Sequence, residues 1–226
     1  MEAVAFDVRG TVAHFRKPDT TATQLTYPFI TPTAAKGLIG AILGIEDFIT
    51  RDMVGIRLLT PVMTVTQQMS MLGKDGYTFN RPTTIELIVQ PHYRIYYAGE
   101  EHVSRLRSFL ENGHAVYPTY LGVAYALTKP VIYKYYDRVE ILHEIKEEIE
   151  TKAIVPTRII KQVKIEPGRS YCRAGGFMHI YKGGRKFEKS IDFIYEKEGK
   201  SIVFLPTEDQ QDIKITKLGK EVVCLV

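Results

Sequence analysis

The changing period of the apolar residues is the feature that most constrains the fold of this chain. From Val4 to Arg9 apolar and polar residues alternate, which predicts a half-buried strand. After a polar, Thr-rich loop, Thr31 can cap a helix with Pro32 at its first position, and apolar residues then recur on one helical stripe as far as Ile45. The chain is therefore expected to begin with a strand and a helix.

Two segments rich in β-forming residues follow, from Val54 to Met71 and from Thr84 to Tyr97. The turn dipeptide Asp75-Gly76 lies between them. Together these features predict a long hairpin over about residues 63–86, which can protrude from its domain.

A second helix and a further strand complete this part of the chain. Apolar residues recur at helical spacing from Val103 to Leu110, and Asn112-Gly113 supplies a left-handed stop. Alternation from Val131 to Ile141 predicts a strand that has Tyr133 on one side and Lys134 on the other.

The resulting order over residues 1–142 is strand, helix, strand, strand, helix, strand. This is the order of the split βαβ, ferredoxin-like arrangement of RNA-recognition (RRM-like) domains, in which two helices cover one face of the sheet and the other face stays open. The predicted class is α+β, with a smaller β-rich lobe over residues 143–226. The strands predicted in that lobe run from Ile154 to Ile165, Ser170 to Tyr181, Ser190 to Tyr195, Ser201 to Phe204 and Asp212 to Val226.

Composition narrows the classes of protein. The 226 residues are 45% hydrophobic and 25% charged, as in an ordinary globular protein. The N-terminus lacks a basic leader, and no apolar stretch is long enough to cross a bilayer, so a cytoplasmic protein without membrane contact is expected. Cys172 and Cys224 form no CxxC motif and are interpreted as reduced core thiols.

Positive charge is concentrated between Lys152 and Lys189. Ten basic residues stand there against two acidic ones, a local charge of +8, whereas the whole chain carries +4. The pattern fits a polyanion partner or, alternatively, a solvated surface rich in Lys and Glu. The candidate nucleic-acid patch consists of Lys161, Lys164, Arg169, Arg173, Arg185 and Lys186.

The sequence lacks the motifs of several kinds of enzyme. The chain contains no GxSxG, GxxxxGK[ST] or GxGxxG motif, which leaves a hydrolase elbow, a P-loop and a dinucleotide site without support. The six histidines show no HxxxH pair. Neither a metal nor a cofactor is predicted.

The first helix has an unusual glycine content. Gly37, Gly40 and Gly44 would each cost about 1 kcal/mol relative to alanine in a helix interior, so a close approach to this face is expected. That approach is either a ribose-phosphate chain or packing of the helix on its own sheet. The amides near Thr33, at the start of the helix, form a natural phosphate site.

A segment of the C-terminal lobe loosely resembles an RNA-binding strand. Phe177, His179 and Tyr181 alternate onto one face, where their rings could stack on bases. Aromatic packing in the core explains the pattern equally well.

Two motifs resemble the CRISPR-associated Cas-five family of the RAMP superfamily. The first extends from Phe6 to Gly44 and combines AHFR at Ala13–Arg16, TYPF at Thr26–Phe29 and the helix GLIGAILG. The second is VYPTYLG, from Val116 to Gly122. The first motif is most similar to the type I-B branch of the family.

The resemblance implies a subunit of a type I Cascade surveillance complex. Such a subunit grips the 5′ handle of crRNA, anchors the backbone subunits and lies beside the large subunit, with the hairpin acting as a thumb. The RNA-binding residues that the resemblance implies here are Arg9, His14, Arg16, Tyr27, Thr33, Lys36, Gly37, Gly40, Tyr120 and Gly122.

An enzyme is the alternative. One branch of the family resembles a metal-independent endoribonuclease that cuts repeat RNA with a Tyr, Lys and His set. Tyr27, Lys36, His92 and His114 are its conceivable parts here, but the Lys-His dipeptide of that branch is missing. Binding without catalysis is therefore predicted.

A third interpretation gives the basic patch another partner. It could contact target DNA beside the protospacer-adjacent motif, or a large Cascade subunit, rather than crRNA.

Overall fold

The computed structural model describes residues 1–20, 23–72, 77, 81–210 and 212–226. Two α-helices, α1 (Pro32–Leu43) and α2 (Val103–Glu111), and one 3-10 turn (Thr157–Ile159) are set among β-strands. The strands are β1 (Glu2–Arg9), β2 (Val12–Ala13), β3 (Thr23–Gln24), β4 (Met53–Leu58), β5 (Thr64–Met71), β6 (Arg81–Val89), β7 (His92–Gly99), β8 (Val131–Tyr136), β9 (Glu140–Ile141), β10 (Ile149–Thr151), β11 (Val155–Pro156), β12 (Ile160–Lys164), β13 (Tyr171–Tyr181), β14 (Phe187–Glu196), β15 (Ile202–Pro206), β16 (Lys214–Leu218) and β17 (Glu221–Leu225). The α+β class predicted from the sequence is confirmed.

A four-stranded antiparallel sheet in the order β4-β7-β1-β8 organises the N-terminal part. The chain enters it as β1, α1, β4, β7, α2 and β8, which is the predicted order of elements. Alternate residues of the strands, such as Phe6, Ile56 and Ile95, are buried with Ile39 of α1 and Leu106 of α2 in the main core. Both helices therefore cover the same face of this sheet.

The second face of the sheet is only partly open, in contrast to the expectation. Val223 and Leu225 of β17 form a second hydrophobic cluster with small residues of the sheet, including Ala5 and Ala98. Gly55 makes this contact close, because a Cβ there would lie 2.4 Å from Val223 Cγ1. The covering strands, β16 and β17, begin after position 200, and no local sequence pattern predicts that they pack here.

A β-bulge in β8 also corrects the predicted side-chain pattern. Ala5 of β1 pairs with Lys134, but the next residue, Phe6, pairs with Ile132. Tyr133 is thus the extra residue, and its ring lies over Arg94 instead of on the side opposite Lys134.

The segments predicted to form the hairpin divide between two sheets. The stretch from Val54 to Met71 is two strands, β4 and β5, because the chain leaves the four-stranded sheet after Leu58. β5 pairs with β6 in antiparallel register from Thr64 opposite Ile88 to Met71 opposite Arg81. Most of β5 is exposed. The predicted Asp75-Gly76 turn lies outside the described residues.

Both helices begin where the sequence predicts and α2 also ends there, but α1 ends at Leu43, before the predicted stripe reaches Ile45. The Thr31 Oγ1 accepts a hydrogen bond from the amide of Ala34 (3.0 Å), and Pro32 is the first helical residue of α1. Gly44, directly after Leu43, has a φ of 74°, which is left-handed. After α2, Gly113 has a φ of 59°, as the Asn112-Gly113 stop requires.

The C-terminal part consists of three small sheets, β10-β15-β12, β11-β14-β13 and β17-β16-β9. The predicted strand from Ile154 to Ile165 is interrupted by the 3-10 turn, and the one from Asp212 to Val226 is the hairpin β16–β17. Residues on both sides of position 142, such as Phe6 and Phe204, belong to one hydrophobic cluster. The division into two lobes stays a prediction.

The two cysteines are free, and burial raises the pKa of the Cys224 thiol to about 12. Among the described residues no helix is long and apolar enough to cross a membrane. The same residues contain no group of three or more His, Cys, Asp or Glu that could hold a metal ion.

Candidate nucleic-acid interface

The loop from Gly10 to Thr31 is fixed by a small network of hydrogen bonds. The Thr26 Oγ1 accepts a hydrogen bond from the Phe15 amide (2.8 Å) and donates one to the Tyr27 carbonyl (2.8 Å). A carboxylate oxygen of Glu86, on β6, accepts a hydrogen bond from the Thr26 amide (3.0 Å). The network ties the loop to the base of the hairpin and sets its position beside the start of α1.

Three adjoining cavities surround this loop, and we call them together the α1 groove. The hairpin-root cavity, of about 700 Å³, lies beside Lys17, Met63 and Arg173. The loop cavity, of about 270 Å³, shares Tyr27 with it. The helix cavity, of about 780 Å³, shares Thr33 and Phe187 with the loop cavity.

Five of the predicted RNA-binding residues line the loop cavity: His14, Arg16, Tyr27, Thr33 and Gly122. Lys36 and Gly37 line the helix cavity beside it. The structure thus brings together residues that are up to 108 positions apart in the sequence, from His14 to Gly122. Arg9, Gly40 and Tyr120 do not line the groove.

The groove offers cations without ion-pair partners. In the described part of the chain, no carboxylate lies within salt-bridge distance of Arg16, Lys17 or Lys36. Burial lowers the pKa of the half-buried Lys36 ammonium, and the carboxylates of Asp52 and Glu101 partly oppose that effect. An ammonium group that is partly removed from water and unpaired is a favourable contact for an incoming phosphate.

Tyr27 does not offer its ring to the groove as the sequence predicted. It is 6% exposed, and its ring stacks on Phe177 with the centroids 4.3 Å apart. The hydroxyl donates a hydrogen bond to the Gly176 carbonyl (2.5 Å), and burial raises its pKa. Stacking of Tyr27 on a base is therefore corrected to packing against β13.

His14 is likewise a buried residue. Its Nδ1 lies 2.7 Å from the Glu86 carbonyl and donates to it, and burial lowers the pKa of the imidazole. The Nε2 atom has no partner among the described residues. His14 is held in place by the hairpin and is not a surface contact for RNA.

The glycines of α1 have separate roles. A Cβ on Gly40 would lie 2.9 Å from Phe48 Cβ, so the room that this residue leaves is filled by the chain itself. Gly44 makes a similar close contact with Val116. Only Gly37 opens to the helix cavity, with no heavy atom within 4 Å of a built Cβ. The sequence's prediction of a ribose-phosphate chain beside Gly40 is therefore wrong.

The remaining predicted residues lie at the rim or away from the groove. A Cβ on Gly122 would lie 2.0 Å from the His14 carbonyl oxygen, so glycine is required there for packing. Tyr120 is 46% exposed and bridges to Leu127. Arg9 ends β1 on the face opposite the buried Val8.

The conceivable catalytic residues have different neighbours. The Tyr27 hydroxyl is bonded to β13, and Lys36 faces Asp52 and Glu101. The His92 Nε2 lies 4.0 Å from a carboxylate oxygen of Asp7, whereas the His114 ring packs against Phe109. No described contact joins any two of the four side chains.

The basic patch is partly neutralised. Lys164 pairs with Glu148 (3.1 Å), Arg169 with Glu166 (3.5 Å) and Arg173 with Asp192 (2.7 Å). The other three members, Lys161, Arg185 and Lys186, are exposed and have no ion pair in the described ranges. Lys161 lies on β12, whereas Arg185 and Lys186 form the turn after β13.

The strand that loosely resembles an RNA-binding strand turns its first two rings inwards. Phe177 is fully buried between Phe29 and Phe193, and His179 is 7% exposed. Burial, and next the charge of Lys36, lower the pKa of His179 to about 4. The Tyr181 hydroxyl donates a hydrogen bond to Asp47 (2.6 Å). Phe177 therefore packs in the hydrophobic core, as the second interpretation of this strand predicted.

Sequence reasoning missed residues that β13 and β14 bring to the groove. Met178 and Phe187 line the loop cavity, and His179 lines the helix cavity. They come from a part of the chain more than 130 residues beyond the loop. The aromatic alternation around Phe177 was the available signal, but it indicates this neighbourhood only once Tyr27 is known to pack there.

Comparison with solved structures shows which known proteins share this fold. The whole chain has the fold of a CRISPR protein from Archaeoglobus fulgidus, with a TM-score of 0.63 and 12% identity over 99% of this chain and 98% of that one. It also has the fold of a chain in a structure described as a CRISPR RNA-guided surveillance complex, with a TM-score of 0.58 and 11% identity over 91% of both chains. No curated protein matches the sequence.

The N-terminal part of the sequence is similar to a known family. Residues 3–53 match the family described as CRISPR-associated protein (Cas_Cas5). This range contains most of β1, the loop and α1, and the loop and α1 also supply most of the lining of the loop cavity. Over this range the chain is similar to the Cas5 family, as the resemblance implied, and the fold of the whole chain is that of the two CRISPR protein chains above.

Proposed function

We propose that this chain is a subunit of a type I CRISPR surveillance complex, of the I-B kind, and that it grips the 5′ handle of crRNA in the α1 groove. We also assign residues 1–142 to a ferredoxin-like domain, which the strand order β4-β7-β1-β8 supports. The single observation that carries the proposal is the alignment of three cavities with unpaired cations along the segment that matches the Cas5 family.

The shape of the groove favours single-stranded RNA. Unpaired bases can enter concave cavities, whereas a duplex offers its backbone and shallow groove instead. Arg16 in the loop cavity and Lys36 in the helix cavity would neutralise phosphates on either side of Thr33. The first amides of α1, around Thr33, add partial positive charge at the same place.

The hairpin of β5 and β6 is proposed to contact neighbouring backbone subunits. Its arms expose Val65 and Met71, and Leu72 beyond them is 62% exposed. Apolar side chains on a protruding element are typical of a protein interface. The similar chain that belongs to a surveillance complex is consistent with such partners.

Binding without cleavage is the proposed mode of action. General acid–base catalysis needs its groups within hydrogen-bond reach of one another or of one substrate. Tyr27, Lys36, His92 and His114 have separate neighbours, and the Tyr27 hydroxyl is engaged by the Gly176 carbonyl.

One gel tests both parts of the proposal. A labelled RNA that carries the 5′ handle is compared with a scrambled RNA at two salt concentrations, in EDTA, for binding and for cleavage. Selective, salt-sensitive binding with intact RNA is expected. Equal binding of the scrambled RNA would contradict handle recognition, and specific cleavage abolished by His114→Ala would identify a processing nuclease instead.

A further inference from the structure

A second cluster of aromatic and basic side chains lies on the other face of the four-stranded sheet. We call Arg9, Arg94, Tyr133 and Lys134 the sheet platform. β16 and β17 cover this face at Ala3 and Ala5, but Asp7 and the residues beyond it lie outside that hydrophobic cluster. Tyr133 is 49% exposed and Val131 is 57% exposed. An uncovered aromatic surface therefore remains at this end of the sheet.

The Tyr133 ring is held in a fixed orientation. Asp7 of β1 pairs with Arg94 of β7, and the Arg94 Nε and Nη2 donate to the two Asp7 carboxylate oxygens at 2.8 and 2.9 Å. The guanidinium carbon lies 3.1 Å from the centroid of the Tyr133 ring. The bulge in β8 supplies the extra residue that brings this ring onto the sheet face. One side of the ring is stacked on Arg94, and half of the side chain is in contact with solvent.

Two exposed basic residues without ion pairs lie close to Tyr133 in the strand registers. Lys134 follows Tyr133 directly, and Arg9 lies two residues beyond Asp7 on the same face, about 7 Å along the strand. Neither side chain forms an ion pair within the described ranges. The combination is an exposed aromatic ring on a sheet with two exposed basic residues nearby in the strand registers, and the Lys134 ammonium lies 5.2 Å from the centroid of the Tyr136 ring.

We propose that the sheet platform binds single-stranded nucleic acid. One unpaired base stacks on the free side of Tyr133, and the adjacent phosphates contact Arg9 and Lys134. Stacking on an aromatic ring with cations beside it is how proteins hold single strands with little regard to sequence. This site is separate from the proposed handle site, because α1, which lines the groove, packs against the opposite face of the sheet.

The role of Arg94 in this site is to position Tyr133. Its two hydrogen bonds to Asp7 satisfy the carboxylate and keep the guanidinium flat against the ring. A ring that is already oriented loses little conformational entropy when a base stacks on it. The platform is thus formed before any ligand arrives.

The test uses the full chain and two labelled decamers, U10 RNA and dT10 DNA, each with and without an excess of unlabelled handle RNA. Tyr133→Ala should weaken decamer binding by roughly tenfold, and Tyr133→Phe should retain it, because the ring and not the hydroxyl stacks. Tyr125→Ala, at another exposed tyrosine, is the matched control and should have no effect.

The two competition arms separate this site from the groove. Decamer binding that persists under excess handle RNA and depends on Tyr133 supports the platform, and comparison of U10 with dT10 shows which sugar it accepts. If handle RNA displaces the decamer completely and Tyr133→Ala equals wild type, the decamer uses the groove and the platform is refuted. Absence of any decamer binding also refutes the platform, whatever the outcome for the handle.

Discussion

At the scale of single residues, Gly122 shows how a backbone position fixes the loop beside the groove. Its φ is 85°, and a Cβ would lie 2.0 Å from the His14 carbonyl oxygen, which is backbone and cannot move aside. Gly113 has a similar φ of 59° but nothing within 4 Å of a built Cβ. The two glycines therefore separate the cost of a left-handed conformation from the cost of a clash.

Substitution of each by alanine should give different losses of stability. Gly113→Ala is expected to lower the free energy of unfolding by about 1 kcal/mol, the strain of a left-handed alanine. Gly122→Ala should lower it by about 3 kcal/mol or more, since the clash adds to the strain. Urea denaturation of both variants measures the difference, and equal losses would show that the His14 contact is relieved without cost.

His179 makes stability depend on pH. Its pKa is lowered from 6.5 to about 4, first by burial and then by Lys36, so the folded protein binds this proton less well than the unfolded chain does. The stabilisation that comes from keeping the buried His179 neutral is fully present above pH 6.5. It is lost as the pH falls towards 4, and the free energy of unfolding then decreases by about 3 kcal/mol in total.

Unfolding experiments at pH 7 and pH 4.5 should show this loss as a difference between variants. Between these two pH values the free energy of unfolding should decrease more for the wild type than for His179→Gln. The difference between the two decreases should be most of the about 3 kcal/mol expected for His179. His143→Gln, at an exposed histidine, should follow wild type. Parallel behaviour of wild type and His179→Gln would mean that another group carries the pH dependence.

At the scale of elements, the glycines of α1 predict opposite effects on helix stability. Gly37→Ala should stabilise the protein by about 0.5 to 1 kcal/mol, because the position is open and alanine is the better helix former. Gly40→Ala should destabilise it by about 1 to 3 kcal/mol, because Phe48 Cβ and the Ile45 carbonyl lie 2.9 and 3.0 Å from the new methyl. Thermal and urea unfolding provide the comparison, and stabilisation by Gly40→Ala would show that Phe48 yields freely.

The outer part of the hairpin of β5 and β6 is expected to contribute nothing to the binding of handle RNA. Met69 lies opposite Thr83, so residues 70–82 can be replaced by Asn-Gly with the lower register kept. The described residues removed are exposed, which predicts a change of less than about 1 kcal/mol in stability and no change in affinity for handle RNA. A large loss of RNA affinity in filter binding would place part of the RNA site on the hairpin arms.

At the scale of the whole molecule, the sequence predicts local elements much better than their surroundings. The N-terminal cap of α1 and the end of α2 depend on neighbouring residues, and both were predictable. The cover of the sheet by β17 depends on Gly55 meeting Val223, and no local pattern contains that pairing. For the same reason, the α+β class was predictable but the partial cover of the second face was not.

The same distinction applies to the candidate site. Arg16, Thr33 and Lys36 lie within the segment that matches the Cas5 family, and the structure places them along one groove. Tyr27 and His14 belong to the same motif, but their partners Phe177 and Glu86 lie far along the chain. A motif therefore predicts which segment forms the site, whereas long-range packing decides which of its side chains are free to bind.

The central claim is that Arg16 and Lys36 neutralise phosphates of handle RNA. The most direct measurement is the affinity of Arg16→Ala/Lys36→Ala for this RNA over a series of salt concentrations, against wild type and a control with the same charge change. Arg138→Ala/Lys146→Ala, at exposed positions outside the groove, is that control. The groove variant should bind more weakly, and its slope of log K against log salt should be shallower by about 1.4, two single-strand phosphate contacts. An unchanged slope, or an equal change in the control, would contradict the assignment of the groove.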